Sequence, residues 1–245
     1  MKKLILIQND YPSTGKSTLA HCYSRYLNTY GAAHQLISLV DDAPEGAELT
    51  LDASTLTKRR LFEMLEDSPI TMIEIATGMG EFFNKFYSNH GLDRDLYDAD
   101  ISVSVVLPVT SEGDSFDAVI EATETYSDNA EYTIAHLVTS SYEDDDRAWD
   151  KSYAARVMDM FEAVELYIPE IGFQLEIELR SQHASLNEAL LDPEAEEHFG
   201  KDFTKWMNRV MGQIESARRY LFGDAFRPTL VPKPIKKTRA KARAA

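Results

Sequence analysis

Apolar residues fall into short continuous runs separated by segments with a helical repeat, and this alternation dictates the first reading of the chain. Leu4-Ile5-Leu6-Ile7 is an apolar run of strand length, as a strand covered on both faces requires. After a polar turn, Leu19, Cys22, Tyr23, Tyr26, Leu27 and Tyr30 recur at three- and four-residue spacing, which marks one buried helical face. Followed to the end, the pattern predicts strands over 3–8, 34–40, 70–75, 101–107, 132–138 and 164–168. It predicts helices over 16–30, 55–66, 113–126, 148–163 and 198–221. Strands alternating with helices predict an α/β fold, with a mainly parallel sheet flanked by helices.

In the last predicted helix Phe203, Trp206, Met207, Val210, Ile214, Ala217 and Leu221 share one face, and Lys201, Lys205 and Arg219 fall opposite. Pro228, Pro232 and Pro234 then break regular structure. The expected organisation is one domain over 1–222 and a mobile Pro/Lys/Arg-rich tail over 223–245. Residues 141–147, with Glu143, Asp144, Asp145 and Asp146, read as an acidic surface loop.

Composition narrows the class. With 245 residues the chain is long enough to bury a sizeable core. Its net charge of −16 argues against the body as a general surface for nucleic acid or anionic membrane. The balance is uneven, because residues 233–245 hold Lys233, Lys236, Lys237, Arg239, Lys241 and Arg243 and no acid. Removing those six positive charges from the net −16 leaves the remainder at −22. The single cysteine, Cys22, excludes an internal disulfide, lies on an apolar helical face and fits a cytoplasmic location. Met1-Lys2-Lys3 before an apolar run mimics a signal peptide, but the run stops at Gln8-Asn9-Asp10, and no other stretch approaches a membrane span.

The chemistry concentrates at Tyr11-Pro12-Ser13-Thr14-Gly15-Lys16-Ser17-Thr18, between the first strand and the first helix. Backbone N–H groups at such a helix start converge on a point that favours phosphate. Lys16 is placed to reach the outer phosphates of a nucleotide, and Ser17 is the hydroxyl that serves magnesium in loops of this kind. The general motif G-x-x-x-x-G-K-[ST] has glycine where this chain has Asp10. Two further strands end in acids, Asp41-Asp42-Ala43-Pro44-Glu45-Gly46 and Glu74-Ile75-Ala76-Thr77-Gly78. In open α/β sheets ligands sit beyond the carboxyl ends of the strands, so these acids are expected near a magnesium–nucleotide complex.

Together these segments resemble the ParA/MinD family of deviant P-loop ATPases, which includes plasmid and chromosome partition proteins and relatives from conjugative plasmids. Asn9 to Thr18 stands where the family has N-x-K-G-G-x-G-K-[ST]-T, and Asp41 to Gly46 looks like its D-x-D-P-x-G. Glu74 to Gly78 is similar to the acid and T-x-G turn of its third strand, and Ala99-Asp100 through Glu112 to its A-D-x-x-x-x-V-x-P-x-x-x-E. Ile168-Pro169 matches a further strand end, and the likeness covers about residues 1–190. The chain departs from the pattern at Tyr11, in place of the signature lysine that reaches the partner's nucleotide, and at Pro12 and Ser13, in place of two glycines. Ala43 replaces the second acid of D-x-D-P, Glu74 stands where aspartate is usual, and Thr139 stands where the family often has asparagine near the base.

The resemblance implies a nucleotide-dependent switch with ATP and Mg2+ as cofactors, slow hydrolysis and a homodimer that forms around ATP. It implies nucleotide contacts from Tyr11, Ser13, Thr14, Gly15, Lys16, Ser17, Thr18 and Thr139. Magnesium would fall to Ser17, Asp41 and Glu74, and the work of hydrolysis to Lys16, Asp41 and Asp42. Lys201, Lys205, Arg219 and the six basic residues of the tail would meet non-specific DNA or a protein partner. Two other classes share the fold: a small-molecule kinase or ATP-dependent ligase, and a pseudo-ATPase that serves as an assembly module.

Overall fold

The structure, a computed structural model, describes residues 2–42, 49–138, 148–223 and 226. The Ala43–Gly46 part of the second strand's turn, Thr139, the acidic loop 141–147 and nearly all of the tail lie outside the described residues. Seven strands form one sheet in the order β3-β2-β4-β1-β5-β6-β7, and every neighbouring pair is parallel. They are β1 (Lys2–Ile7), β2 (His34–Val40), β3 (Thr50–Asp52), β4 (Ile70–Ile75), β5 (Ile101–Val109), β6 (Ala130–Leu137) and β7 (Val164–Ile168). The chain is therefore α/β, a parallel sheet flanked by helices, as the alternation of strand-like and helical stretches requires.

Two apolar layers explain why the strands read as unbroken hydrophobic runs. Along β1, Leu4 and Leu6 enter one core while Ile5 and Ile7 enter the other. The first layer holds α2 (Lys58–Glu66), α3 (Gly80–Asn89), α4 (Leu92–Asp98), α5 (Asp117–Tyr126) and α6 (Tyr153–Met160). The second holds α1 (Lys16–Thr29), α7 (Phe173–Ser181), α8 (Leu186–Leu191), the short α9 (Ala195–His198) and the long α10 (Gly200–Phe222). Aromatic contacts fasten α1 to α10: Tyr26 stacks on Phe222 with ring centroids 5.5 Å apart, and Tyr23 meets the same ring edge-on at 6.2 Å. The Tyr26 hydroxyl also donates to Glu215. This join fixes the axis of the helix that opens at the candidate site.

Several boundaries differ from the sequence pattern for local reasons. The expected helix 55–66 begins at Lys58, because Thr57 caps it by accepting the Arg60 N–H at 3.2 Å. Residues 113–116 form a 3-10 turn before α5, and the 148–163 segment is helical at 148–150, breaks at 151–152 and resumes as α6 behind its Ser152 cap. Strand β3 and helices α3, α4, α7 and α8 fall where the periodicity places no element. Strand β3 is three residues long with one buried side chain, too short to show a repeat.

At the opposite sheet edge, Glu165 on β7 gathers three donors. Tyr167 donates to it at 2.8 Å and the Trp149 indole at 3.0 Å, while the His136 ring lies 3.1 Å away. The His136 contact, with the other two hydrogen bonds, outweighs burial and holds the carboxyl down at about 2. An ordinary glutamate titrates near 4.3, so the cluster's contribution is complete above about pH 5 and is lost as pH falls towards 2. Glu165→Gln is accordingly expected to flatten the acid limb of stability. Urea unfolding of both proteins between pH 2 and 7 checks this, and parallel pH profiles would refute it.

Candidate functional site

The turn after β1 leaves the sheet under the control of one buried side chain. Asn9 is 2% exposed; its amide donates to the carbonyls of Pro108 at 2.7 Å and Ser115 at 2.9 Å. Its Oδ1 accepts the Tyr11 N–H at 2.8 Å. The loop is thus pinned to the end of β5 before it turns back. Ser13 then takes φ 59° and Gly15 φ 75°, both left-handed, which turns the chain into α1. Glycine is demanded at 15 on a second count, since a Cβ there would stand 2.4 Å from Leu137 Cδ1 of β6.

The loop closes over a cavity of about 420 Å³ lined by Ser13 to Thr18, Glu74, Ala76, Thr77 and Asn187. Lys16 is 7% exposed; its ammonium donates to the Asn9 carbonyl and, at 3.0 Å, to the Thr77 hydroxyl. Burial lowers the Lys16 pKa, and the fields of Asp10 and then Glu74 oppose that shift. A cation whose burial is incompletely offset favours an incoming anion. Ser17 donates its hydroxyl to Glu74, the last polar position of β4. The Thr14 hydroxyl, 1% exposed, lines the same cavity with no hydrogen-bond partner among the described residues.

The structure thus brings together Ser13, Thr14, Gly15, Lys16, Ser17, Thr18 and Glu74. Tyr11 is half-buried beside them, held through its N–H. Asp41 and Asp42 are exposed just past β2, whose Leu39 pairs with Ile75, and neither lines the cavity. Among the described residues no group of three or more His, Cys, Asp or Glu side chains is arranged to hold a metal by itself. Ser17 and Glu74 nonetheless fit magnesium, which keeps several waters and relies on few protein ligands when phosphates supply the rest.

Lys201, Lys205 and Arg219 are all exposed on α10. Trp206 donates to the Pro169 carbonyl beyond β7 at 2.7 Å, so the Lys201 end lies towards the carboxyl edge of the sheet. By helix rise Arg219 stands about 27 Å away at the other end, so the three do not form one patch. The exposed Arg209 continues the Lys201–Lys205 row at four-residue spacing, a repeat visible in the sequence.

Three neighbours of the loop carry no signal in its motif. Asn187 accepts the Thr18 hydroxyl at 3.0 Å from α8. The signal that could have marked this helix is the capping box Ser185–Glu188, which the apolar periodicity does not reveal. Thr77 holds Lys16, and Asp10 accepts the N–H groups of Gly78 and Gly80, each at 3.0 Å.

No protein-family model matches the chain, and no curated protein matches it. Among solved structures it is similar to the MinC:MinD cell division protein complex of Aquifex aeolicus, at 16% identity and a TM-score of 0.45, over 86% of this chain and 96% of that chain. Among the described residues no helix is long and apolar enough to cross a membrane.

Asn9→Ala is expected to destabilise the fold by about 2–4 kcal/mol, because it strands two buried carbonyls and a loop N–H. Urea unfolding measures the loss; a change below about 0.5 kcal/mol would show that water replaces the amide.

Proposed function

We propose that the chain is a magnesium-dependent ATP-binding switch of the ParA/MinD type, with slow turnover and a nucleotide-dependent homodimer. One observation carries the reading: a phosphate-loop turn, a buried lysine and a serine bonded to a strand-end glutamate converge on one cavity. The amides of residues 13–18 and the ammonium of Lys16 hold the phosphates, and the free Thr14 hydroxyl finds an acceptor there. Ser17, with Glu74 and Asp41 directly or through water, would hold the magnesium. Bound magnesium supplies neutralisation of phosphate charge.

Tyr11 replaces the lysine and Ala43 the acid that the family uses on developing charge. Each such group is commonly worth several kcal/mol, so hydrolysis is slow and the lifetime of the ATP state is the useful output. Thr139 is the candidate neighbour of the base, and Asp41 or Asp42 the candidate for organising water. The output is control of DNA or of a protein partner, as in plasmid partition, positioning or conjugative transfer.

Lys16→Ala should weaken Mg-ATP binding about tenfold or more, since a charge-assisted contact is lost. Calorimetry that finds equal affinity for both proteins would remove the phosphate-loop assignment.

The basic tail (Lys233, Lys236, Lys237, Arg239, Lys241 and Arg243), aided by Lys201 and Lys205, contacts nucleic-acid phosphates without reading sequence. The body's negative charge opposes this, so two tails on a dimer are needed for appreciable affinity. DNA binding is therefore expected to be stronger with ATP than with ADP, to fall steeply with salt and to vanish on truncation after Arg227. Anisotropy titrations at low salt decide the point. Full-length protein that ignores DNA in the presence of ATP would turn the reading to a protein partner.

A further inference from the structure

Among the described residues the cavity at the loop is lined by residues 13–18, by Glu74, Ala76 and Thr77 at the end of β4, and by one residue from elsewhere, Asn187. Asn187 stands half-buried in the first turn of α8, and that short helix is tied to α1 at two points. Its Oδ1 accepts the Thr18 hydroxyl at 3.0 Å. Arg25 donates to the carbonyls of Leu190 at 3.3 Å and Asp192 at 2.9 Å. Thr18 and Arg25 are seven residues apart on α1, about two turns along one face. The capping box of Ser185 and Glu188 fixes the start of α8, and Ala189 and Leu190 are buried in the layer that holds α1. The Asn187 side chain is therefore held at the cavity by its own helix as well as by Thr18.

We infer that Asn187 is a nucleotide-contacting residue: its side-chain NH2 donates to the innermost phosphate, which ATP and ADP share. The inference rests on the nucleotide reading proposed above. Thr18 occupies Oδ1, and the NH2 has no hydrogen-bond partner among the described residues. A primary amide has an acceptor end and a donor end, so engaging its oxygen leaves two N–H donors for a ligand. The Thr14 hydroxyl, 1% exposed, lines the same cavity and is likewise without a partner among the described residues. The cavity thus holds two neutral donors that lack an acceptor, a state that buried polar groups seldom keep. The place of that acceptor follows from what holds the rest of the loop. Lys16 and Ser17 are both bonded towards the β4 end, to Thr77 and Glu74, so the outer phosphates and their magnesium belong there. Asn187 reaches the cavity from α8 instead, through Thr18, one residue further into α1. The N–H groups of such a loop cradle the inner phosphates, and an amide beside them adds a charge-assisted bond.

Calorimetry with Mg-ATP and Mg-ADP on full-length protein tests this, with urea unfolding of each variant as the control for fold. Asn187→Ala removes both ends of the amide and should weaken the two nucleotides by the same factor, about tenfold. Asn187→Asp separates the two ends, because it keeps an oxygen for Thr18 and loses the donor. Aspartate in a first helical turn is favourable, so this variant is expected to unfold at the same urea concentration as the wild type. It should weaken both nucleotides about thirtyfold, since a carboxylate then faces phosphate, and part of that loss should disappear in high salt. An Asp variant that binds both as tightly as the wild type would show that Asn187 only holds Thr18, and the inference falls while the nucleotide reading stands. A loss confined to ATP would move Asn187 to the outer phosphates and overturn the assignment to the innermost one. A wild type that binds neither nucleotide overturns the nucleotide reading itself, and this inference with it.

Discussion

The site depends on a buried amide. A turn that presents backbone N–H groups to a ligand must leave them free, so its own shape has to be fixed by something else. Asn9 does this from inside the sheet, where its side chain occupies the carbonyls of Pro108 and Ser115 and the N–H of Tyr11. Its main-chain carbonyl holds the Lys16 ammonium. One residue thereby couples the end of β5, the loop and the buried cation, and the left-handed Ser13 and Gly15 complete the turn into α1. Backbone strain at Ser13 is held in place by this anchoring and by the packing of α1 on α10.

Charge is arranged around that frame with the same economy. Lys16 is buried deeply enough to favour an anion, and the fields of Asp10 and Glu74 oppose the effect of that burial on its pKa. Glu74 is bonded to a loop hydroxyl, while Asp10 is turned to the N-terminus of α3. The turn 76–80 therefore touches the loop at two points, Thr77 to Lys16 and Gly78–Gly80 to Asp10. A ligand that recruits Lys16 competes with Thr77 for it. The Asp10 contacts tie the turn to the start of α3 independently of the Thr77–Lys16 bond.

The sheet's two edges are protected by different means. Strand β3 is only three residues long, which limits the unpaired backbone it offers. On β7 the Glu165 cluster draws Trp149 and His136 against the strand, and the His136 ring stacks on Tyr167 with centroids 4.7 Å apart. The carboxyl edge on the α1 side is left to the cavity, bounded by α8 through the Thr18–Asn187 bond.

Apolar periodicity was sufficient for every strand with a two-sided hydrophobic run and for the amphipathic helices α1 and α10, because burial alone dictates those patterns. It was insufficient for α4, where Asp93, Asp95 and Asp98 follow Gly91 within one short helix, and for α8, whose six residues are held by a capping box rather than by periodicity. The same division holds at the site. Gly15-Lys16-Ser17 between a strand and a helix is a local arrangement, so the sequence by itself located the turn on which the candidate site is built. The pairing of Ser17 with Glu74, the hold of Thr77 on Lys16 and the placing of Asn187 at the cavity join residues 57 to 169 positions apart. Asp10 shows the difference most plainly. In sequence it is a missing glycine; in the folded chain its carboxylate serves a helix formed 70 residues later. Only tertiary structure decided that, because hydrogen bonds and electrostatic fields act through space, and local sequence carries no record of which strand ends the sheet brings side by side.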